Sequence, residues 1–166
     1  MNNPDSILLA KTLHGARQLS KFYLGHAKGL DVNKRFKTES FETNSIHWIV
    51  AHQAWGENFI VLHGVNKQGL DVKWFNTFKI GSAHPEKEAF PNFEETLKVY
   101  DEVHKKSLDL VNSLGAEDLQ RENYTGLEFG GGKTNEALIR HAIRHEAMHA
   151  GHLSWLLRMH GVKKII

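Results

Sequence analysis

Near the end of the chain two histidines stand four residues apart with a glutamate after the first, in His145-Glu146-Ala147-Met148-His149. Residues four apart on a helix differ by about 40° in azimuth and one turn in height, so two imidazoles can converge on one ion. The five letters match H-E-x-x-H, the motif in which a zinc protease's Glu polarises a water and a third ligand completes an open site. The rest of a protease signature is missing. No Asp or Glu follows Glu146 as far as Ile166, and the extended form H-E-x-x-H-x-x-G-x-x-H fails because position 152 is His and position 155 is Trp. A peptidase is therefore not expected, and a third ligand has to come from upstream.

His52 is that upstream candidate. It interrupts the seam Trp48, His52, Trp55, Phe59, whose other members are large and apolar, so its ring should face the interior. His145 and His149 lie on a comparable seam. Three inward imidazoles without partners would each cost roughly 1–3 kcal/mol, against a typical stability of about 5–15 kcal/mol. A divalent ion satisfies all three, and this ligand set suits Zn²⁺, Ni²⁺ or Fe²⁺ better than Mg²⁺ or Ca²⁺. The competing reading is hydrogen bonding to carboxylates and hydroxyls within the fold. His104 and His152 are rival ligands, and His141 could stand in for His149, although it falls about 100° off the seam. His14, His26, His84 and His160 read as surface or terminal residues. Glu146, one step round the helix from His145, is the catalytic candidate, as an acid/base beside the site or a partner of a ligand; a plain exposed glutamate is the simpler expectation. Because the ligands must be neutral, metal should be lost as the pH falls toward the free imidazole pKa of about 6.5 and below.

Four stretches with helical periodicity must position these groups. The first runs from about Pro4 to about Leu30 with Leu9, Leu13, Ala16, Ser20, Tyr23 and Ala27 in line, and the second from about Thr43 to about His63. The third runs from about Pro91 to about Leu114, with Gly115 as its stop. The fourth starts near Thr134, an N-cap type, and ends before Gly161, an αL C-cap type. Four amphipathic helices predict an all-α four-helix bundle formed by a single domain over residues 1–166. The stretch from Gly64 to Phe90 far exceeds the roughly 2–8 residues that join antiparallel neighbours, so helices two and three should run parallel, up-down-down-up. Within that crossover, residues 72–80 alternate weakly and predict a short extended piece, with Trp74, Phe75 and Phe78 as a lid on the core's edge. The glycine-rich Phe129-Gly130-Gly131-Gly132-Lys133-Thr134 lacks phosphate-loop spacing and reads as a flexible approach to helix four.

Composition narrows the function classes. With 166 residues, 40% hydrophobic and 24% charged, the chain suits one soluble domain. It has twelve His and no Cys, which excludes disulfides, thiolate metal sites and a cysteine nucleophile of its own. The net charge is +2 with basic residues scattered, so no nucleic-acid footprint is present. No apolar run approaches the roughly 20 residues of a membrane span, and the first residues lack a signal-peptide pattern; a cytoplasmic protein is expected.

Several segments together resemble a known family. Asn44-Ser45-Ile46-His47-Trp48-Ile49-Val50-Ala51-His52, the later His145 to Leu153, Leu157-Arg158 and Gly161 are similar to the DinB-like (DinB/YfiT) proteins. Trp74-Phe75, Phe90-Pro91 and Glu117-Asp118-Leu119 extend the likeness over nearly the whole chain. The resemblance implies an up-down-down-up bundle with a metal held by His52, His145 and His149. The family commonly has Gln where this chain has His152, which leaves open a further ligand or a proton carrier. It also implies a homodimer acting on a small molecule, with a metal-dependent transferase using a low-molecular-weight thiol such as mycothiol or bacillithiol, a hydrolase or an isomerase as the candidate activities. A metal-binding stress-response module without catalysis is the alternative. Trp48, Trp55 and Trp74 would wall the pocket, and any thiol must come from outside the chain.

Overall fold

The computed structural model describes residues 3–165. Among them are helices and no strands; the extended contacts are isolated bridges, Lys37 with Glu42 and Glu122 with Thr134. None of these helices is long and apolar enough to cross a membrane.

Helix α1 spans Pro4–Gly25, with Pro4 in the first turn and the Asn3 side chain accepting from the Asp5 amide at 3.1 Å. It stops short of the expected Leu30, and the chain turns through Gly29 at φ +81°, a left-handed conformation that glycine adopts without a Cβ penalty. Helix α2 spans Ile46–Glu57, capped by Ser45 rather than starting at Thr43. The Thr43 hydroxyl is engaged elsewhere, accepting from the Phe36 amide at 3.0 Å, which holds residues 36–43 as a tight loop. Beyond Glu57 the chain stays helical through a π-helical segment, Asn58–His63, and a last turn, Gly64–Asn66. The wider π turn leaves Phe59 half-buried and brings Ile60, Val61, Leu62 and Val65 into the core.

The crossover corrects one expectation. Residues Phe75–Phe78 form a 3₁₀ turn rather than an extended piece. Phe78 is fully buried and Phe75 nearly so, which makes this turn a plug in the core rather than a lid on its edge, with Trp74 packed edge-on against both rings. Alternation in a short aromatic run is a weak signal, and burial of two rings three residues apart selects the 3-fold helix instead.

Helix α3 spans Phe93–Ser113 behind the Asn92 cap, α4 is the short Ala116–Gln120, and α5 spans Asn135–Met159. Thr134 caps α5 by accepting from the Ala137 amide at 3.2 Å, and Gly161 follows at φ +87°, as the sequence predicts.

Of three apolar clusters, two lie toward opposite ends of the helices, and the third packs Val50, Ala54, Phe75, Tyr100 and Val103 between them. Leu9, Leu13, Val61, Val111, Leu138 and Ile139 gather at one end, Tyr23, Ile46, Ile49, Phe78, Leu153 and Leu157 at the other. Between these clusters along the helices lie the polar residues Arg17, Glu57, Glu146 and the histidines at 52, 104 and 149, all buried. Apolar packing at both ends supplies the stability that lets the middle layer carry polar groups.

Candidate metal centre

Helix α2 presents His52, and α5 presents His145 and His149 one turn apart, so the site straddles the seam between these two helices. One ring nitrogen from each of the three lies within 4.8 Å of the others. His145 Nε2 is 3.2 Å from His52 Nε2 and 3.2 Å from His149 Nε2. Four-coordinate zinc with Zn–N bonds of about 2.0–2.1 Å spaces its ligand nitrogens by about 3.3–3.4 Å, so the edges match a shared ion. Hydrogen bonding alone fits poorly, because a single Nε2 offers one proton or one lone pair and here meets two neighbours.

An outer nitrogen sets the tautomer of His52. His52 Nδ1 donates to the Phe78 carbonyl at 2.6 Å, which leaves its Nε2 lone pair free for a ligand role. The buried 3₁₀ turn thereby aims one candidate ligand. Trp48 stacks on the same ring at 4.7 Å between centroids and 12° between planes, and Trp55 leans on it at 5.4 Å. Trp74 is held by Phe75 and Phe78 and reaches the site only through that turn. His149 Nδ1 pairs with His152 Nδ1 at 3.2 Å, so His152 meets the back of a ligand.

Burial keeps these imidazoles neutral. It lowers the pKa of His145 to about 3 and of His149 to about 2, with the neighbouring imidazoles pushing the same way. Burial likewise lowers His52, against the opposing pull of the Phe78 carbonyl. Neutral imidazole is the form that ligates. His52 and His149 are buried whereas His145 is half-buried and His152 exposed, so the site is reached along that edge of α5.

The other sequence candidates fall elsewhere. His141 lies under the Phe129 ring, with centroids 4.0 Å apart, and its own centroid is 6.2 Å from that of His145. His104 donates to or accepts from a different set: Nδ1 is 3.0 Å from a Glu57 carboxylate oxygen and Nε2 is 3.2 Å from His14 Nδ1. His14, read as a surface residue, is exposed but stacks on His104.

Glu146 is not an exposed glutamate. It is 2% exposed and ion-paired with Arg17, whose Nε and Nη2 donate to its two oxygens at 2.9 and 3.2 Å, while the Tyr100 hydroxyl donates at 3.1 Å. Arg17 also donates to Glu57 and to the Tyr100 carbonyl, and its guanidinium sits 3.5 Å over the Tyr100 ring. Burial opposes the charged guanidinium, but Glu146, Tyr100 and Glu57 outweigh it and raise its pKa. Burial would push Glu57 up, and Arg17 and His104 hold it below the usual carboxylate range instead. This hub was missed in the sequence, where the predicted seam passes through Ala16, although Arg17 stands four after Leu13 and three before Ser20 and so shares their face. His145 is next to Glu146 in sequence, and its ring packs against Gly56, next to Glu57, so the hub buttresses the backbone under the triad.

Comparison with known proteins accords with this arrangement. No curated protein matches the chain. The sequence model of the DinB superfamily matches residues 17–153, more than three-quarters of the chain, and spans all three histidines together with Arg17. A helical chain with three convergent imidazoles, matched over that length, belongs to the DinB superfamily.

Proposed function

We propose that this protein is a metal-dependent enzyme in which Nε2 of His52, His145 and His149 holds a divalent ion, Zn²⁺, Ni²⁺ or Fe²⁺, and that it acts on a small electrophilic molecule. A bound ion of this kind acidifies a coordinated thiol or water, making it a nucleophile near neutral pH. The single observation carrying the reading is the 3.2 Å approach of His145 Nε2 to Nε2 of both His52 and His149, with the His52 tautomer set from behind by the Phe78 carbonyl. His52 is aimed by Phe78, Trp48 and Trp55 wall the ring against water, and the edge of α5 from half-buried His145 to exposed His152 leaves an approach for substrate. Without a cysteine in the chain, a transferred thiol would be a low-molecular-weight one such as mycothiol or bacillithiol. Glu146, held by Arg17, positions the helix rather than exchanging protons in this reading.

The wider reading is a single domain over residues 1–166 arranged up-down-down-up. Its support is that the starts of α1 and α5 share one apolar cluster with the end of α3 and with the helical continuation of α2 over residues 58–66. A cytoplasmic homodimer completes it, supported by Leu8, Leu19 and Phe22, which leave an apolar strip on one face of α1 at 64%, 41% and 46% exposure.

Metal analysis and turnover test the proposal. Protein loaded with Zn²⁺, Ni²⁺ or Fe²⁺ should turn over in a panel of thiols and electrophiles, with activity lost in His149→Ala. Loaded protein without metal-dependent turnover would overturn it. A second reading, a non-catalytic stress-response module in which the ion staples the fold, draws on the site's bridging of α2 and α5. It predicts a large fall in Tm on chelation and no turnover.

A further inference from the structure

The seam between α2 and α5 continues past the triad. One turn beyond His149, toward the end of α5, it opens into a groove of about 460 Å³ bounded by His152, Trp155 and Met159 on α5, Ile49 on α2, and Phe41 and Asn44 from the preceding loop. This volume is within the roughly 300–1,000 Å³ of small-molecule sites. Trp155 is 73% exposed and Phe41 63% exposed, large rings that the core does not use. The groove's one acidic wall residue, Glu42, is ion-paired with Arg35 at 3.0 Å, so the cavity carries no unpaired carboxylate for a cation.

His152 joins this groove to the candidate metal centre. Its ring lines the cavity, and its Nδ1 is 3.2 Å from Nδ1 of His149, whose other nitrogen faces the triad. The groove therefore begins one imidazole away from a ligand atom. Apolar walls that end at polar nitrogens suit a molecule with a neutral apolar or aromatic tail and a reactive polar head.

We infer that the groove between Trp155, Phe41 and Ile49 is the substrate subsite for a neutral aromatic or aliphatic tail, with the head of the same molecule reaching the triad past His152. The inference rests on the metal reading above and adds the class of substrate. Stacking on Trp155 and Phe41 orients the tail, and the loop carrying Phe41 is held in a turn by the Thr38 hydroxyl, which donates to the Phe41 carbonyl at 2.8 Å. A groove with apolar sides and no free charge offers a charged tail no partner.

Hydroxamates on the Co²⁺-loaded full chain, followed by visible absorption, separate head from tail. A phenylalkyl hydroxamate should bind at least tenfold more tightly than acetohydroxamate. Trp155→Ala and Phe41→Ala, both at exposed positions, should reduce that advantage to under threefold while Co²⁺ affinity and acetohydroxamate binding stay within twofold of wild type. Equal affinities in wild type, or an advantage that survives both substitutions, would overturn the subsite and leave the metal reading standing. Failure to bind either hydroxamate overturns it as well. Failure to take up Co²⁺ at all overturns both. If Trp155→Ala instead converts a dimer to a monomer and no tail preference exists, the groove is covered by a second copy and the inference is wrong.

Discussion

His52 Nε2 and His145 Nε2, 93 residues apart in the chain, face each other at 3.2 Å across the seam of two helices. Each ring is fixed from outside this contact, His52 by the Phe78 carbonyl and His145 by the close approach of Gly56. The pair is thus held by contacts from both sides. Substituting His52→Ala or His149→Ala should therefore leave the helical circular dichroism intact while lowering Zn²⁺ or Ni²⁺ affinity by at least about a hundredfold, more than the 10–100-fold typical of outer partners. Competitive chelator titration reads this directly, and undiminished affinity in either variant would remove the triad as the site.

Gly56 offers a finer test. A Cβ at that position would lie 2.7 Å from His145 Cε1 and 3.3 Å from Nδ1. Alanine is otherwise favoured over glycine inside a helix by about 0.5–1 kcal/mol. Because His145 is half-buried, its ring can yield by swinging outward, away from His52. Gly56→Ala should accordingly keep or raise Tm in the metal-free protein and lower metal affinity about tenfold. A parallel loss of stability and affinity would mean that the ring has nowhere to go.

The pH dependence follows from neutral buried imidazoles. His145 and His149 are lowered to about 3 and about 2, His47 to about 4 by burial, and His52 in the same direction, all below the free value of 6.5. Between pH 6.5 and these lower values the unfolded chain binds more protons than the folded one, so stability rises with pH across that window and is lost as pH falls through it. Denaturant melts of metal-free protein should be nearly flat above pH 7 and decline below 6.5, by up to about 1.4 kcal/mol per pH unit for each histidine involved. Proton competition for the ligands is correspondingly weak in the folded state. Metal release should have its midpoint well below pH 6.5, lower than free imidazole would give, and equilibrium dialysis across pH 7 to 4 measures it.

The sequence revealed the triad and the four long helices because both are written in local spacing. His145 and His149 are one turn apart, and His52 stands out against Trp48, Trp55 and Phe59. Caps at Thr134 and Gly161 were legible for the same reason. The π turn at Asn58–His63 and the 3₁₀ turn at Phe75–Phe78 were not, since each depends on which rings the tertiary core accepts. Glu146 was misjudged as exposed because its partner, Arg17, is 129 residues away, and no local pattern encodes that pairing. A charged residue in helical register with apolar neighbours is a usable signal, and Arg17, four after Leu13, carries it once the face is drawn one residue over from Ala16.

Arg17 gives the last prediction. It is fully buried between Glu57 and Glu146, with one cation facing two carboxylates. Removing the cation alone, as in Arg17→Met, leaves buried Glu146 without its cation and Glu57 with only His104 beside it, and should cost about 3–5 kcal/mol. Arg17→Met/Glu57→Gln/Glu146→Gln removes the charges together and should recover most of that loss, since a buried ion cluster exchanged for neutral groups of similar volume is often near neutral. The pH slopes should also reverse. In the wild type Glu57 is held below its unfolded pKa of 4.5, so its contribution is present above that value and is lost as pH falls through the folded pKa. In Arg17→Met burial acts on Glu57 with less opposition and raises its pKa, so protonation relieves the buried charge and the variant should gain stability relative to wild type as pH falls from 7 toward 5. Paired denaturant melts at pH 7 and 5 measure the difference. A gap between wild type and Arg17→Met that widens at pH 5 would show that the guanidinium contributes packing over the Tyr100 ring rather than charge.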